Sequence, residues 1–156
     1  MQIRKERVSI MDKTYWLPVI LPDKVIRLGG KMDFYKNYAE QINAGGFFTY
    51  GEFNPAFKDI TAYLSINAKY ITHQVLRMKN DSIANNDRIM AEVKLLDDNP
   101  LSEHLSWSFQ NLGYQNFHIQ PRVLVKTLDQ RTLKVTRLIA MDLFPNEKGK
   151  HDYFIG

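Results

Sequence analysis

The chain reads TYGEFNP at residues 49–55, ITHQV at residues 71–75 and FHIQPR at residues 117–122. The first segment leads an aromatic strand into a Gly-Glu turn, and the second is an apolar strand that carries a histidine. In the third, apolar residues alternate from Phe117 to Val125 around Pro121, as in a strand with one buried face. The three segments therefore predict strands, two of which carry the candidate functional residues His73 and Arg122.

Strand patterns dominate the rest of the chain. Seven runs are rich in β-branched and aromatic residues or alternate cleanly, at residues 2–10, 14–21, 47–53, 65–77, 89–95, 117–125 and 133–143. We therefore expect an α+β fold with a barrel-like sheet of about seven strands, flanked by two or three helices. A chain of 156 residues fits one domain, residues 1–156, with residues 145–156 as a loose C-terminal tail.

Helical spacing marks two segments, near residues 31–44 and 100–112. Apolar residues at i, i+3, i+4 and i+7 form the first stripe, namely Tyr35, Tyr38, Ala39 and Ile42. Gly45 and Gly46 end that helix, because glycine adopts the left-handed cap without steric cost. Asn99 and Pro100 are a favourable start for the second helix, whose predicted buried stripe is Leu101, Leu105, Phe109 and Leu112. A third, short helix is predicted over residues 58–64.

Composition excludes several classes of protein. The chain has no cysteine, which rules out disulfides and thiol catalysis. Its net charge of +4 comes from scattered basic residues and argues against a nucleic-acid surface. The longest apolar run, residues 16–21, is too short for a membrane span, and no apolar signal core follows the N-terminus. A cytosolic or virion-resident protein is expected.

The sequence predicts no metal site and no cofactor. No two of the four histidines have the i, i+4 or strand i, i+2 spacing of paired ligands. The glycine pairs at residues 29–30 and 45–46 lack the longer glycine pattern of a phosphate-binding loop. His118 alternates with apolar neighbours and is expected to point away from the apolar face.

The order and spacing of the three opening segments resemble the prohead maturation proteases of tailed bacteriophages, whose fold is similar to that of the herpesvirus assemblins. The resemblance rests on Gly51-Glu52, His73 and Arg122 and extends to the strand VTRLIAMD at residues 135–142. It implies that His73 is the general base and that Arg122 helps to form or brace the oxyanion site. It also implies a serine nucleophile one or two residues before the arginine.

That serine is absent, because Gln120 and Pro121 occupy the expected positions. Neither side chain can be activated by a histidine to attack a carbonyl carbon. The residues then have simpler interpretations. His73 is a hydrogen-bonded histidine on a half-buried strand, Arg122 is a strand-surface or interface charge, and Glu52 marks a turn. Under this interpretation, the residues are remnants of a former catalytic site.

The leading hypothesis is a catalytically inactive prohead-protease-like protein that acts as a structural or assembly component of the virion. Aromatic residues crowd between Tyr35 and Tyr63, more than a small domain needs for its core, and suggest interface anchors. The expected partners are other virion proteins of the capsid, portal, neck or tail, with a homo-oligomer as a further option. The expected location is the virion, and the host cytoplasm during assembly. The alternative is an active maturation protease with a displaced nucleophile, and a phage-encoded inhibitor or host-interaction protein is a third hypothesis.

Overall fold

A computed structural model of the protein describes residues 13–21, 30–82, 88–127, 133–146 and 154–155. The strands are β1 (Thr14–Pro18), β2 (Tyr50–Glu52), β3 (Ile71–Asn80), β4 (Ile89–Leu95), β5 (Phe117–Thr127), β6 (Leu133–Pro145) and β7 (Phe154–Ile155). The α-helices are α1 (Gly30–Ala44), α2 (Ile60–Tyr63) and α3 (Pro100–Ser108). Short 3-10 turns cover Phe47–Thr49, Ala68–Tyr70 and Tyr114–Asn116, and a π-helical turn, Phe109–Gly113, continues α3.

The strands form two sheets. The first is antiparallel with the order β1-β4-β3-β2, and the second has the order β6-β5-β7, with β5 antiparallel to β6 and parallel to β7. Two isolated bridges, Val19 to Ile119 and Phe53 to Leu143, join the sheets. The α+β class is confirmed, whereas one barrel-like sheet of seven strands is not. A closed barrel would need a continuous hydrogen-bonded ladder between the edge strands of the two sheets. The edge strands of the first sheet are poorly suited to this, because β2 has three residues and β1 ends at Pro18, which has no backbone N–H.

Both predicted long helices are present, and each begins or ends for the expected reason. Gly45, with φ of +86°, follows α1 directly. The side chain of Asn99 caps α3 by accepting a hydrogen bond from the Leu101 N–H at 2.9 Å. The predicted stripe of α3 is half wrong, because Leu101 and Leu112 are exposed. The π-helical turn widens the helix after Ser108, so the α-helical spacing used for the prediction does not hold as far as Leu112.

One apolar core draws on both sheets and both long helices. Its members include Leu17 and Val93 of the first sheet, Ile119 and Met141 of the second, and Phe34 of α1. A smaller cluster lies elsewhere and consists of Tyr63, Ile139 and Ala140, with Phe57, Leu64 and Ile66 packed against them. It forms where the segment that contains α2 packs against β6. The second sheet therefore has apolar contacts beyond the main core.

Strand β5 is consequently buried on both faces from Phe117 to Val123. The expectation that His118 points away from the apolar face is incomplete, because this side chain is also buried. Its ring stacks on Phe144 with centroids 5.9 Å apart, and its Nδ1 lies 2.9 Å from Asn146 Oδ1. Alternation shows that a strand has two faces, but it does not show whether the second face is covered.

Several boundaries differ from the predictions. Residues 47–49 and 68–70 are 3-10 turns where strands were predicted. Within the predicted tail, Phe154–Ile155 pairs with Leu124 and Val125. The predicted strand at residues 2–10 lies outside the described residues, and the single domain stays a prediction.

Gly51 provides a direct test of how closely β2 approaches β6. A Cβ at this position would lie 1.8 Å from the Met141 carbonyl oxygen, whereas a Cβ at Gly45 would meet no atom within 4 Å. We expect Gly51→Ala to lower the free energy of unfolding by about 3 kcal/mol, because backbone must move. Gly45→Ala should cost only about 1 kcal/mol, from its left-handed backbone. Urea unfolding of both variants is the measurement, and equal costs would contradict the packing described for Gly51.

Candidate functional site

The residues singled out from the sequence meet at the junction of the two sheets. Gly51 of β2 is registered opposite His73 of β3, and Glu52 Oε2 lies 2.9 Å from Arg122 Nη2 on β5. The bridge between Phe53 and Leu143 brings β2 against β6 at the same place. Residues that are far apart in sequence therefore form one polar cluster, which consists of Glu52, His73, Arg122 and Asp142.

His73 is fully buried, and both of its ring nitrogens have partners. Nε2 lies 2.6 Å from the Met141 carbonyl oxygen, and Nδ1 lies 2.7 Å from Thr72 Oγ1. Because a carbonyl oxygen can only accept, Nε2 carries the proton, and Nδ1 accepts from the threonine hydroxyl. Burial lowers the pKa of His73, although the Met141 carbonyl and the Asp142 carboxylate favour the charged form. A neutral, fully hydrogen-bonded ring agrees with the simpler interpretation of this histidine.

Arg122 is also fully buried, so its interpretation as a surface or interface charge is wrong. Its Nε and Nη2 each donate to one oxygen of Asp142, both at 2.9 Å, and Nη2 also donates to Glu52 Oε2 at 2.9 Å. Burial opposes the positive charge, but the hydrogen bonds and charges of Asp142 and Glu52 outweigh it and raise the pKa of Arg122. Such a bidentate pair fixes both the position and the orientation of the guanidinium relative to the carboxylate.

The same guanidinium holds the α2 segment onto the second sheet. Arg122 Nη1 donates to the carbonyl oxygens of Ser65 at 2.7 Å and Tyr63 at 3.3 Å. Its Cζ lies 4.4 Å from the ring centroid of Phe57. The Tyr63 hydroxyl donates to the Val123 carbonyl oxygen at 2.6 Å and accepts from the Val123 N–H at 3.1 Å, where the ladder between β5 and β6 is irregular. Arg122 thus helps to attach the covering segment to β5.

The two carboxylates of the cluster differ in exposure. Two carboxylates, Asp142 and Glu52, face one guanidinium, and His73 is neutral. Asp142 is fully buried, whereas 12% of the Glu52 side chain is exposed. Glu52 lies within β2 and donates its backbone N–H to Asp142 Oδ1 at 3.1 Å, so its interpretation as a turn marker is wrong. Glu52 is therefore the member of the cluster that reaches solvent.

Catalysis by the expected constellation has no support in this geometry. Gln120 and Pro121, at the expected nucleophile positions, are buried in β5. Ser102 Oγ donates to the Thr72 carbonyl oxygen at 2.8 Å and is buried. Within the described part of the chain, the hydroxyl that hydrogen-bonds to His73 belongs to Thr72, which is itself fully buried. A substrate carbonyl has no route to that pair.

A cleft of about 660 Å³ opens beside Glu52. It is bordered by the segment after β2, the turn before β3 and the start of α3. Its lining residues are mainly apolar, and those that matter most are Glu52, Phe53, Phe57, Ser65, Tyr70 and Leu101. No local sequence pattern indicated this cleft, because its walls come from separate parts of the chain. Asp142 was likewise missed, although a lone carboxylate inside the apolar run of residues 138–144 was a usable signal.

Comparison of the chain with protein-family models, with curated proteins and with solved structures finds no match in any of the three. Among the described residues, no helix has the length and apolar character needed to cross a membrane. The same residues contain no group of three or more histidine and acidic side chains that could hold a metal ion.

The depressed pKa of His73 predicts a specific pH dependence of stability. The unfolded chain protonates this histidine near pH 6.5, whereas the folded chain resists protonation. Its contribution is therefore fully present above about pH 6.5 and is lost as the pH falls towards the folded pKa. Between pH 7 and pH 5, we expect the wild-type free energy of unfolding to fall by up to about 1.4 kcal/mol per pH unit more steeply than that of His73→Gln.

The matched control for this measurement is His104→Gln, which removes an exposed histidine of α3. Its stability should follow the wild-type pH profile. Parallel profiles for wild type and His73→Gln would show that His73 titrates normally and would contradict the buried, neutral ring.

Proposed function

We propose that this protein is a catalytically inactive relative of the tailed-phage prohead proteases and serves as a structural or assembly component of the virion. The observation that carries the inactive assignment is the state of His73, which is buried with both ring nitrogens hydrogen-bonded. A general base needs a free nitrogen within reach of a nucleophile and a substrate. Gln120 and Pro121 supply no nucleophile beside it.

The residues on which the resemblance rests make contacts that stabilise the fold of this chain. Gly51 allows close approach to Met141, Glu52 and Arg122 form a partly buried ion pair, and a hydrogen bond from His73 joins β3 to β6. These contacts stabilise the fold whether or not the protein catalyses a reaction. The two bridges between the sheets support a barrel-like body as part of the same proposal.

The surface of the described residues supports an interaction role. Large apolar side chains are exposed at Phe47, Ile60, Tyr70, Leu101, Trp107, Leu112 and Tyr114. They differ from the aromatic group expected from sequence, since of the eight aromatic residues that crowd the region from Tyr35 to Tyr63 only Phe47 is exposed. Exposed aromatic and aliphatic side chains are typical anchors of protein interfaces. The proposed partners are virion proteins of the capsid, portal, neck or tail, met in the host cytoplasm during assembly and retained in the particle.

One contact favours the alternative, an active protease with a displaced nucleophile. Thr72 Oγ1 and His73 Nδ1 form a hydroxyl–imidazole hydrogen bond of 2.7 Å, the pairing that activates a nucleophile. Both side chains have no solvent exposure. Activity through this pair would require the elements packed over it to move apart.

The purified chain should leave the phage's own prohead proteins intact during prolonged incubation, as followed by gel electrophoresis and intact-mass measurement. In mature virions, mass spectrometry should find the full-length chain, because a structural component is retained. Thr72→Val and His73→Gln are the matched variants. Cleavage by wild type that either variant abolishes would contradict the inactive assignment, and depletion of the chain from mature particles would contradict the structural role.

A further inference from the structure

We propose that β6 binds an extended, acidic strand of a partner protein along the edge that faces away from β5, at residues 137–139. This stretch is called the open edge below. The inference rests on the proposed interaction role, and it names the surface and the chemistry of the partner segment. It does not depend on the partner's place in a virion.

The strand β2 lies beside β6 over only a short stretch. Phe53 forms a parallel bridge with Leu143, and the Glu52 N–H donates to Asp142, so each β2 residue lies beside the β6 residue 90 positions later. Continuing this register backwards would place residues 47–49 beside residues 137–139. Residues 47–49 form a 3-10 turn instead. The strand position beside the open edge is therefore not filled by β2.

The backbone of β6 loses its second set of partners before Met141. The carbonyl oxygens of Met141 and Leu143, which face away from β5, accept hydrogen bonds from His73 and Asn54. At residues 137–139, no described residue outside β5 hydrogen-bonds to the β6 backbone. The N–H and C=O groups of such an edge are a template for another strand, which gains affinity from main-chain hydrogen bonds.

A groove of about 400 Å³ lies along the open edge. Its apolar lining residues come from the 3-10 turn, the segment after α2 and β6, and they are Phe47, Phe48, Leu64, Ile66, Leu138 and Ile139. Phe48 packs against the main core, whereas Leu64 and Ile66 pack against the smaller cluster. The groove thus lies between two apolar layers, with β6 at its base. Alternate side chains of an added strand point to opposite sides, so they would contact both layers.

The charges near the open edge select the side chains of the added strand. Arg137 is the charged residue among the described residues that line the groove, and it is exposed. Lys134 and its registered neighbour Lys126 are also exposed. None of these three cations forms an ion pair with a residue in the described ranges. Carboxylates on the added strand would therefore be attracted to this end of the sheet.

The same cations argue against a second copy of this chain as the occupant. A symmetric pair of β6 edges would bring Arg137 and Lys134 close to their own counterparts across the two-fold axis. Like charges on adjacent strands are destabilising, and lysine on an edge strand is a common means of preventing self-association. An acidic strand of another protein has no such penalty.

The test uses blocked peptides of one length, titrated into the ¹⁵N-labelled full chain. In one peptide valine alternates with glutamate, in the second valine alternates with lysine, and the third is the glutamate peptide with an N-methylated backbone. We expect the glutamate peptide to shift the amide signals of Arg137, Leu138 and Ile139. It should bind about tenfold more tightly than the lysine peptide because of its charge. N-methylation should weaken it by about tenfold or more, because it removes the main-chain donors.

Variants of exposed residues separate the open edge from the rest of the surface. Arg137→Glu should remove the preference for glutamate over lysine, and Phe47→Ser should weaken the glutamate peptide by about fivefold. The matched controls are Lys36→Glu, an exposed cation of α1, and Leu112→Ser, whose side chain is as exposed as that of Phe47. Neither control residue lines the groove, so both variants should bind like wild type.

Several results would overturn the proposal. They are equal binding of the glutamate and lysine peptides, undiminished binding of the N-methylated peptide, and equal losses from the control and groove variants. The absence of any peptide-induced shift at millimolar concentration would also overturn it. A dimer of the free chain that Arg137→Glu disrupts would show that a second copy occupies the edge. None of these results bears on proteolysis or on retention in virions, so the proposed function would fail or survive separately.

Discussion

The buried ion pair between Arg122 and Asp142 is the interaction on which the rest of this structure depends. A guanidinium taken out of water is costly unless carboxylates and carbonyls replace its hydration. Here Asp142 holds two of its nitrogens, and Glu52 and the carbonyl of Ser65 take up further donors. The pair thereby connects β5 and β6 with β2 and with the segment that covers the second sheet. Removing either partner would leave the other buried charge without its main counter-charge at the place where these elements meet.

The same constraint explains why a site that resembles a catalytic constellation is proposed to be a structural one. His73 sits beside this pair, where burial keeps its ring neutral, and its two hydrogen bonds join β3 to β6. Gly51 leaves room for that ring and for the Met141 carbonyl. Contacts within the chain account for each of these residues, and no substrate is needed to explain them. Of the four residues of the cluster, Glu52 is the one that lines the cleft.

Local patterns in the sequence were sufficient for the elements that depend on local physics. The helical stripe of residues 35–42, the Asn99 cap and the alternation of β4 were each correctly interpreted, because propensity, capping and periodicity act over a few residues. Local patterns gave the wrong prediction for Arg122, which was expected on the surface because an isolated arginine is usually solvated. Its burial depends on a partner 20 residues away on the next strand and on a covering segment almost 60 residues away. The cleft could not be predicted either, because its lining residues come from separate parts of the chain.

The most direct test of this account is a double-mutant cycle between Arg122 and Asp142, measured by urea unfolding. The variants are Arg122→Met, Asp142→Leu and the combination of both. Each single change should cost about 3–5 kcal/mol, since it leaves one buried charge without its main partner. The double variant should cost at least about 2 kcal/mol less than the sum of the two single changes, because the apolar pair no longer buries an unpaired charge. Additivity within about 0.5 kcal/mol would contradict the account, since it would mean that the two charges do not depend on each other in the folded protein.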